Sequence, residues 1–226
     1  MSQRQITVLQ HNRITRRAAT LVLAAIALSM FALSPLHVAP AAAQTVEQLS
    51  KPVSLPDMAL GQSNAPVTII EFASLTCPHC ADFSKEVFPK IRQNFIDTGK
   101  VRYIFREFPL DIKAAAGALL ARCISKDDSK KYFAVNDLLF YQQVEWFKNT
   151  SETLTRIGRQ AGLSAPEVDA CLKDQALLDK LKADQAYADE VLQVHSTPTF
   201  FINGERFVGE MSFEKFSEKI NSSIKH

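Results

Sequence analysis

The spacing of apolar positions divides the chain into blocks of two periods. "APVTIIEFAS", residues 65–74, is a short β-branched apolar run and predicts a strand buried on both faces. "PHCADFSKEVFPKIRQNF" then continues at helical spacing from Pro78, a residue suited to the first helical position. Pro89 must kink or break that helix, because proline lacks the N–H and crowds the preceding turn. Gly99 ends the helix, and "VRYIFREF" (101–108) predicts a second strand. Strand, helix and strand of these lengths form a βαβ unit with two parallel neighbours.

From Asp111 the period is helical. Ile112, Ala115, Ala116, Leu119, Leu120 and Cys123 recur on one stripe. Helical patterns continue through "KKYFAVNDLLFYQQ", "SETLTRIGRQAG" and "SAPEVDACLKD", where Ser164 and Glu167 have capping-box spacing. A longer helix starts near Gln175, with Leu177, Leu178, Leu181, Ala188, Val191 and Leu192 as its apolar positions. Period two returns in "TPTFFINGERFVGE", two short strands around Asn203-Gly204, whose residues tolerate positive φ in a hairpin turn. "SFEKFSEKINSSI" predicts a closing helix with Phe213, Phe216, Ile220 and Ile224 inward. The order βαβ, helices, ββα is α/β, a thioredoxin fold with a helical domain inserted after the second strand of the βαβ unit. Its expected divisions are 44–110 for the first part, 111–178 for the insertion and 179–226 for the second part.

The N-terminal residues have a different character. Arg4, Arg13, Arg16 and Arg17 precede the apolar run "AATLVLAAIALSMFAL", and Ala41 and Ala43 form a small-x-small site. That order predicts a cleaved signal peptide over 1–43 and a periplasmic product. The run is short for a membrane span, and Pro35 follows it. Arg16-Arg17 is a weak twin-arginine candidate, because Ala19 stands where such signals have a bulky apolar residue. Without the four arginines of 1–43 the chain has 22 basic against 24 acidic residues, about −2, so no nucleic-acid footprint remains. Four cysteines lie beyond residue 43, in a compartment that permits disulfides: Cys77, Cys80, Cys123 and Cys171.

Cys77 and Cys80 stand two residues apart where the first strand meets its helix. Haem attachment requires a histidine directly after the second cysteine, and Ala81 is there. Zinc requires two more ligands at short spacing, and none is nearby; no metal or cofactor is expected. A structural bridge across two residues constrains little chain entropy. Redox catalysis is left. Cys77 at the helix N-terminus faces unpaired N–H groups that favour the thiolate, His79 adds a further stabiliser, and Cys80 is the resolving thiol.

These residues carry a resemblance. "EFASLTCPHC", "REFPL", the helical insertion and "TPTFFINGERFVG" resemble the DsbA-like periplasmic thiol:disulfide oxidoreductases, in their alphaproteobacterial-type branch, from about Ser54 to Lys225. The resemblance implies donation of the Cys77–Cys80 disulfide to unfolded or newly exported cysteine-containing polypeptides. It also implies re-oxidation by a quinone-linked, DsbB-like membrane partner, and a monomer is expected. Pro78-His79 is the dipeptide typical of oxidising members. Pro198 matches the cis-proline that faces the cysteines, Thr197 offers its backbone to an extended substrate, and Glu71 matches the family's buried acid. Cys123 and Cys171 lie on apolar stripes, either as free thiols or as a bridge within the insertion, and the bridge is the expectation. Trp146, Phe147 and Phe200-Phe201 are expected to fill core or groove. An isomerase or reductase is the alternative within this chemistry, and a copper-binding or chaperone module using Cys77 and Cys80 is the alternative outside it. Intact mass of the native protein should correspond to a chain starting at Gln44; a mass retaining residues 1–43 would replace export and cleavage with tethering.

Overall fold

A five-stranded mixed sheet in the order β1-β3-β2-β4-β5 carries the site. The computed structural model describes residues 41–51 and 54–224. The expected signal peptide therefore lies outside the described residues, apart from the first three residues of helix α1 (Ala41–Ser50). Among the described residues no helix is long and apolar enough to cross a membrane.

Strand β2 (Val67–Ala73) pairs in parallel with β3 (Val101–Glu107) and antiparallel with β4 (Thr199–Ile202). β5 (Glu205–Val208) closes the hairpin through Asn203 and Gly204, at φ 46° and 88°. β1 (Met58–Leu60) adds an antiparallel edge beside β3; at three residues it is too short to leave a periodic signature. Side chains alternate along β2. Ile70 and Phe72 pack with Leu49 of α1 and with Ala188, Leu192 and Val194. Val67, Ile69 and Ala73 face the cysteine helix and the larger core. Glu71 has the parity of this second face.

The helix after β2 is unbroken but uneven. α2 (Pro78–Asp82) and α3 (Phe88–Ile91) alternate with wide π-helical turns at Phe83–Val87 and Arg92–Ile96. The Phe88 N–H reaches back five residues to the Phe83 C=O. Widening before Pro89 is how the segment passes a residue with no N–H to give.

The inserted helices are α4 (Ile112–Ser125), α5 (Ser129–Tyr141), α6 (Gln143–Lys148), α7 (Thr150–Gln160) and α8 (Ala165–Leu172). Asp111 and Asp128 cap α4 and α5 by accepting from Ala114 and Lys131 N–H groups, and Ser164 and Glu167 form a capping box on α8. α9 (Gln175–Glu190) runs unbroken across residue 178, where the insertion is expected to end. α10 (Phe213–Ile224) buries Phe216 and Ile220. Three apolar positions depart from the expected stripes, one of them Ile224 at the end of α10, 38% exposed. Ile112 is 76% exposed at the first position of α4, where burial begins only at Ala114, and Val191 lies beyond the end of α9, 38% exposed.

Buried polar contacts join insertion and sheet. Arg122 of α4 donates to both oxygens of Glu107, at 2.5 and 2.7 Å, and the Tyr132 hydroxyl donates to the same carboxylate. Cys123 and Cys171 are disulfide-bonded, tying α4 to α8 over 48 residues of sequence. Such a loop is worth about 4 kcal/mol on the chain-entropy estimate. Replacing both cysteines with serine should lower the unfolding free energy by about that much, read from denaturant melts; an unchanged midpoint would remove the bridge from the stability of the insertion.

Candidate active site

The turn from β2 into α2 is built by its own polar groups. The Ser74 C=O accepts from the Cys77 N–H at 3.1 Å. The Ser74 hydroxyl takes the Leu110 N–H at 3.2 Å, anchoring the turn to the chain leaving β3. Cys77 is the N-cap of α2, with φ −77° and ψ 121°. Its sulfur occupies the position of a capping oxygen and accepts from the Cys80 N–H at 3.4 Å. Pro78 fills N1, where a missing N–H costs nothing.

Across from this cap the Thr197–Pro198 peptide bond is cis, and the Cys77 thiol donates to the Thr197 C=O at 3.3 Å. Cys77 and Cys80 are unbonded thiols, 4% and 1% exposed. Beneath them lies Glu71, also buried, whose register partners are Phe105 and Phe200. The Tyr103 hydroxyl donates to one of its carboxyl oxygens, and the other has no partner among the described residues.

These surroundings separate three acids that would otherwise titrate in their ordinary ranges. The Cys77 thiol is lowered to about 5, first by a hydrogen bond from the Cys80 thiol, with the Thr197 side chain and the N–H groups of Cys80 and His79 adding to it against the opposing effect of burial. Burial pushes Cys80 far above the thiol range, and contact with Cys77 and the charge of Glu71 act the same way. Burial also raises Glu71 to about 8, opposed by the Tyr103 hydrogen bond and helped by the charge of Cys77. The arrangement favours one anion, at Cys77, above a neutral carboxyl that can exchange a proton.

His79 serves the Cys77 sulfur through its backbone N–H and its charge, while its ring takes a further partner. Its imidazole is exposed and pairs through Nδ1 with Glu210, in the loop after β5. The hydrogen bond to Glu210, and then its charge, raise the His79 pKa. Toward the Cys77 sulfur His79 contributes its backbone N–H. His79, Asp82 and Glu210 bring one ligand-type atom each within 4.8 Å of one another, all on exposed side chains. Trp146, Phe200 and Phe201 are buried core residues, whereas Phe147 is 45% exposed. Tyr103 and Glu210 carry no sequence signature: one is an aromatic in a strand, the other an acid after a glycine.

The thioredoxin family profile matches residues 54–222. A Rickettsia bellii protein named as a protein-disulfide oxidoreductase is 32% identical over 170 residues, 74% of this chain and 64% of that protein. The chain thus spans less than two thirds of that relative's length. The crystal structure of Wolbachia pipientis alpha-DsbA1 superposes with TM-score 0.72 at 34% identity, covering 80% of this chain and 96% of that one. Oxidised Bacillus subtilis BdbD shares the fold, with TM-score 0.66 at 23% identity over 75% of this chain and 94% of that one.

Glu71 gives a stability signature. An acid whose folded pKa is raised contributes stability below its unfolded value, and that contribution is lost as pH rises through the folded value. Between pH 4.5 and pH 8 the reduced protein should therefore lose stability that Glu71→Gln keeps. The variant's advantage should grow by on the order of 3 kcal/mol from pH 4.5 to pH 7. Paired denaturant melts across that range measure it; parallel curves would mean that Glu71 ionises as an ordinary glutamate.

Proposed function

The chain belongs to the thioredoxin family, in its DsbA-like branch, and we propose that it is an exported thiol:disulfide oxidoreductase that donates the Cys77–Cys80 disulfide to cysteine-containing polypeptides newly delivered to the periplasm. The observation that carries this reading is the contrast between neighbouring sulfurs, with Cys77 lowered to about 5 and Cys80 raised. A sulfur that is stable as an anion is a good leaving group and a poor partner in a disulfide, so the oxidised pair tends to pass its bond on.

The steps follow from that contrast. A substrate thiolate attacks the Cys77 sulfur of the disulfide, and the Cys80 sulfur leaves with the bonding electrons. An anion at Cys80 is disfavoured, so it takes a proton from Glu71, whose raised pKa keeps it largely protonated at pH 7. A second substrate thiolate then attacks the substrate sulfur of the mixed disulfide. Cys77 leaves as its stabilised thiolate, and two electrons have passed from substrate to the cysteine pair. The Thr197 backbone beside Cys77 is suited to pairing with an extended chain. Return to the disulfide is assigned to a quinone-linked membrane partner acting on a monomer.

Oxidase and isomerase directions differ in which redox form is the more stable. The lowered Cys77 pKa contributes stability to the reduced protein above the unfolded thiol value, and this is lost as pH falls through about 5. At pH 7 the gain is about 2 pH units, or ~2.7 kcal/mol, which makes the disulfide more oxidising by about 60 mV. With the Cys123–Cys171 bridge intact in both samples, the reduced protein should melt higher at pH 7, and the gap should narrow toward pH 5. A higher midpoint for the oxidised form would favour the reductase or isomerase reading.

A further inference from the structure

Gln143, the first residue of α6, is 8% exposed and spends its amide nitrogen on the cysteine turn. Nε2 donates to the Leu75 C=O and to the Cys77 C=O, each at 2.9 Å. The Cys77 C=O also takes the Ala81 N–H, but Gln143 is the only donor to the Leu75 C=O among the described residues. The Leu75 side chain is seated in the same insertion. A Cβ on Gly117 of α4 would stand 2.8 Å from Leu75 Cδ1, so the glycine lets Leu75 pack close against α4. The turn is thus held by the sheet through Ser74 and by the insertion through Leu75 and Gln143.

This second hold bears directly on the sulfur. The direction of the Cys77 carbonyl defines that residue's ψ, and ψ fixes how the N-cap side chain meets the first turn of α2. Without Gln143 the carbonyl keeps only the Ala81 N–H among the described residues, and the hold that keeps the sulfur against the Cys80 N–H is loosened. We propose that Gln143 is a positioning residue for disulfide exchange, through which the inserted helices set the reactivity of Cys77. The proposal rests on Cys77 being the exchanging sulfur.

Three variants of the whole protein test this. Gln143→Leu removes both donors at similar volume. Its far-UV spectrum and cooperative melt should stay those of the parent, while the midpoint of Cys77 alkylation against pH rises by about one unit. The equilibrium with glutathione should shift about tenfold toward the disulfide. In Gln143→Glu the carboxylate cannot donate, but its protonated form gives one hydrogen bond back. Its exchange rate relative to Gln143→Leu should therefore climb as pH falls, which a role in stability alone would not produce. A folded Gln143→Leu with the parent's alkylation profile and glutathione equilibrium would overturn the proposal; if it does not fold, Gln143→Met and Gln143→Glu carry the same two outcomes. A parent whose Cys77 titrates in the ordinary thiol range would remove the functional reading itself. A parent near 5 with unshifted variants would remove only the role of Gln143.

Discussion

A negative sulfur can persist at Cys77 only while the groups beneath it stay neutral. Cys77, Cys80 and Glu71 share a small buried volume, where a second charge would be poorly solvated and would repel the first. The N-cap position offers several hydrogen bonds to one anion, whereas at the other two desolvation outweighs the hydrogen bonds they receive. In the proposed exchange, electron movement through the cysteine pair is tied to proton movement through Glu71. Tyr103, which donates to that carboxyl, moderates how far burial can raise it.

The fold creates this contrast by stacking a helix terminus on a strand. The parity of β2 points Glu71 at the cysteine helix and sends Ile70 and Phe72 to the opposite face. Antiparallel pairing with β4, Phe72 opposite Thr199, brings Thr197 and Pro198 to the open side of Cys77. The inserted helices close a third side, joined to the sheet by Arg122, Tyr132 and Glu107. A buried ion pair of this kind adds little net stability over an apolar contact. Losing one partner would leave a charge stranded, so the pair holds the insertion in one orientation over the turn.

The histidine of the CPHC segment shows how a motif and its environment can diverge. At helix spacing, His79 is available to the Cys77 sulfur, and its backbone N–H does face it. The imidazole also pairs with Glu210, 131 residues later, and Glu210 acts on it more strongly than the Cys77 charge does. That pairing links the start of the cysteine helix to the loop after the hairpin, where the Gly209 N–H donates to the Pro198 C=O.

Features that act within one turn or one strand could be read from the chain alone. The β-branched run around Glu71 implies a strand covered on both faces, Pro78 implies a helix starting beside Cys77, and Asn203-Gly204 implies a hairpin. Each depends on torsional preferences or hydrophobic spacing over a few residues. The partners of Glu71, His79 and Cys77's carbonyl could not be read this way. Tyr103, Glu210 and Gln143 reach them across 32, 131 and 66 residues, and no local period encodes which side chains will meet at that range. Pro89 and Ile112 show the same limit at shorter distance: a wide turn absorbs the proline, and the first turn of α4 extends past its packing partners. Local chemistry specified the elements and the reactive pair, whereas the charge each group carries was settled by the rigid placement of helices and strands, because burial and hydrogen-bond partners exist only once those elements have packed.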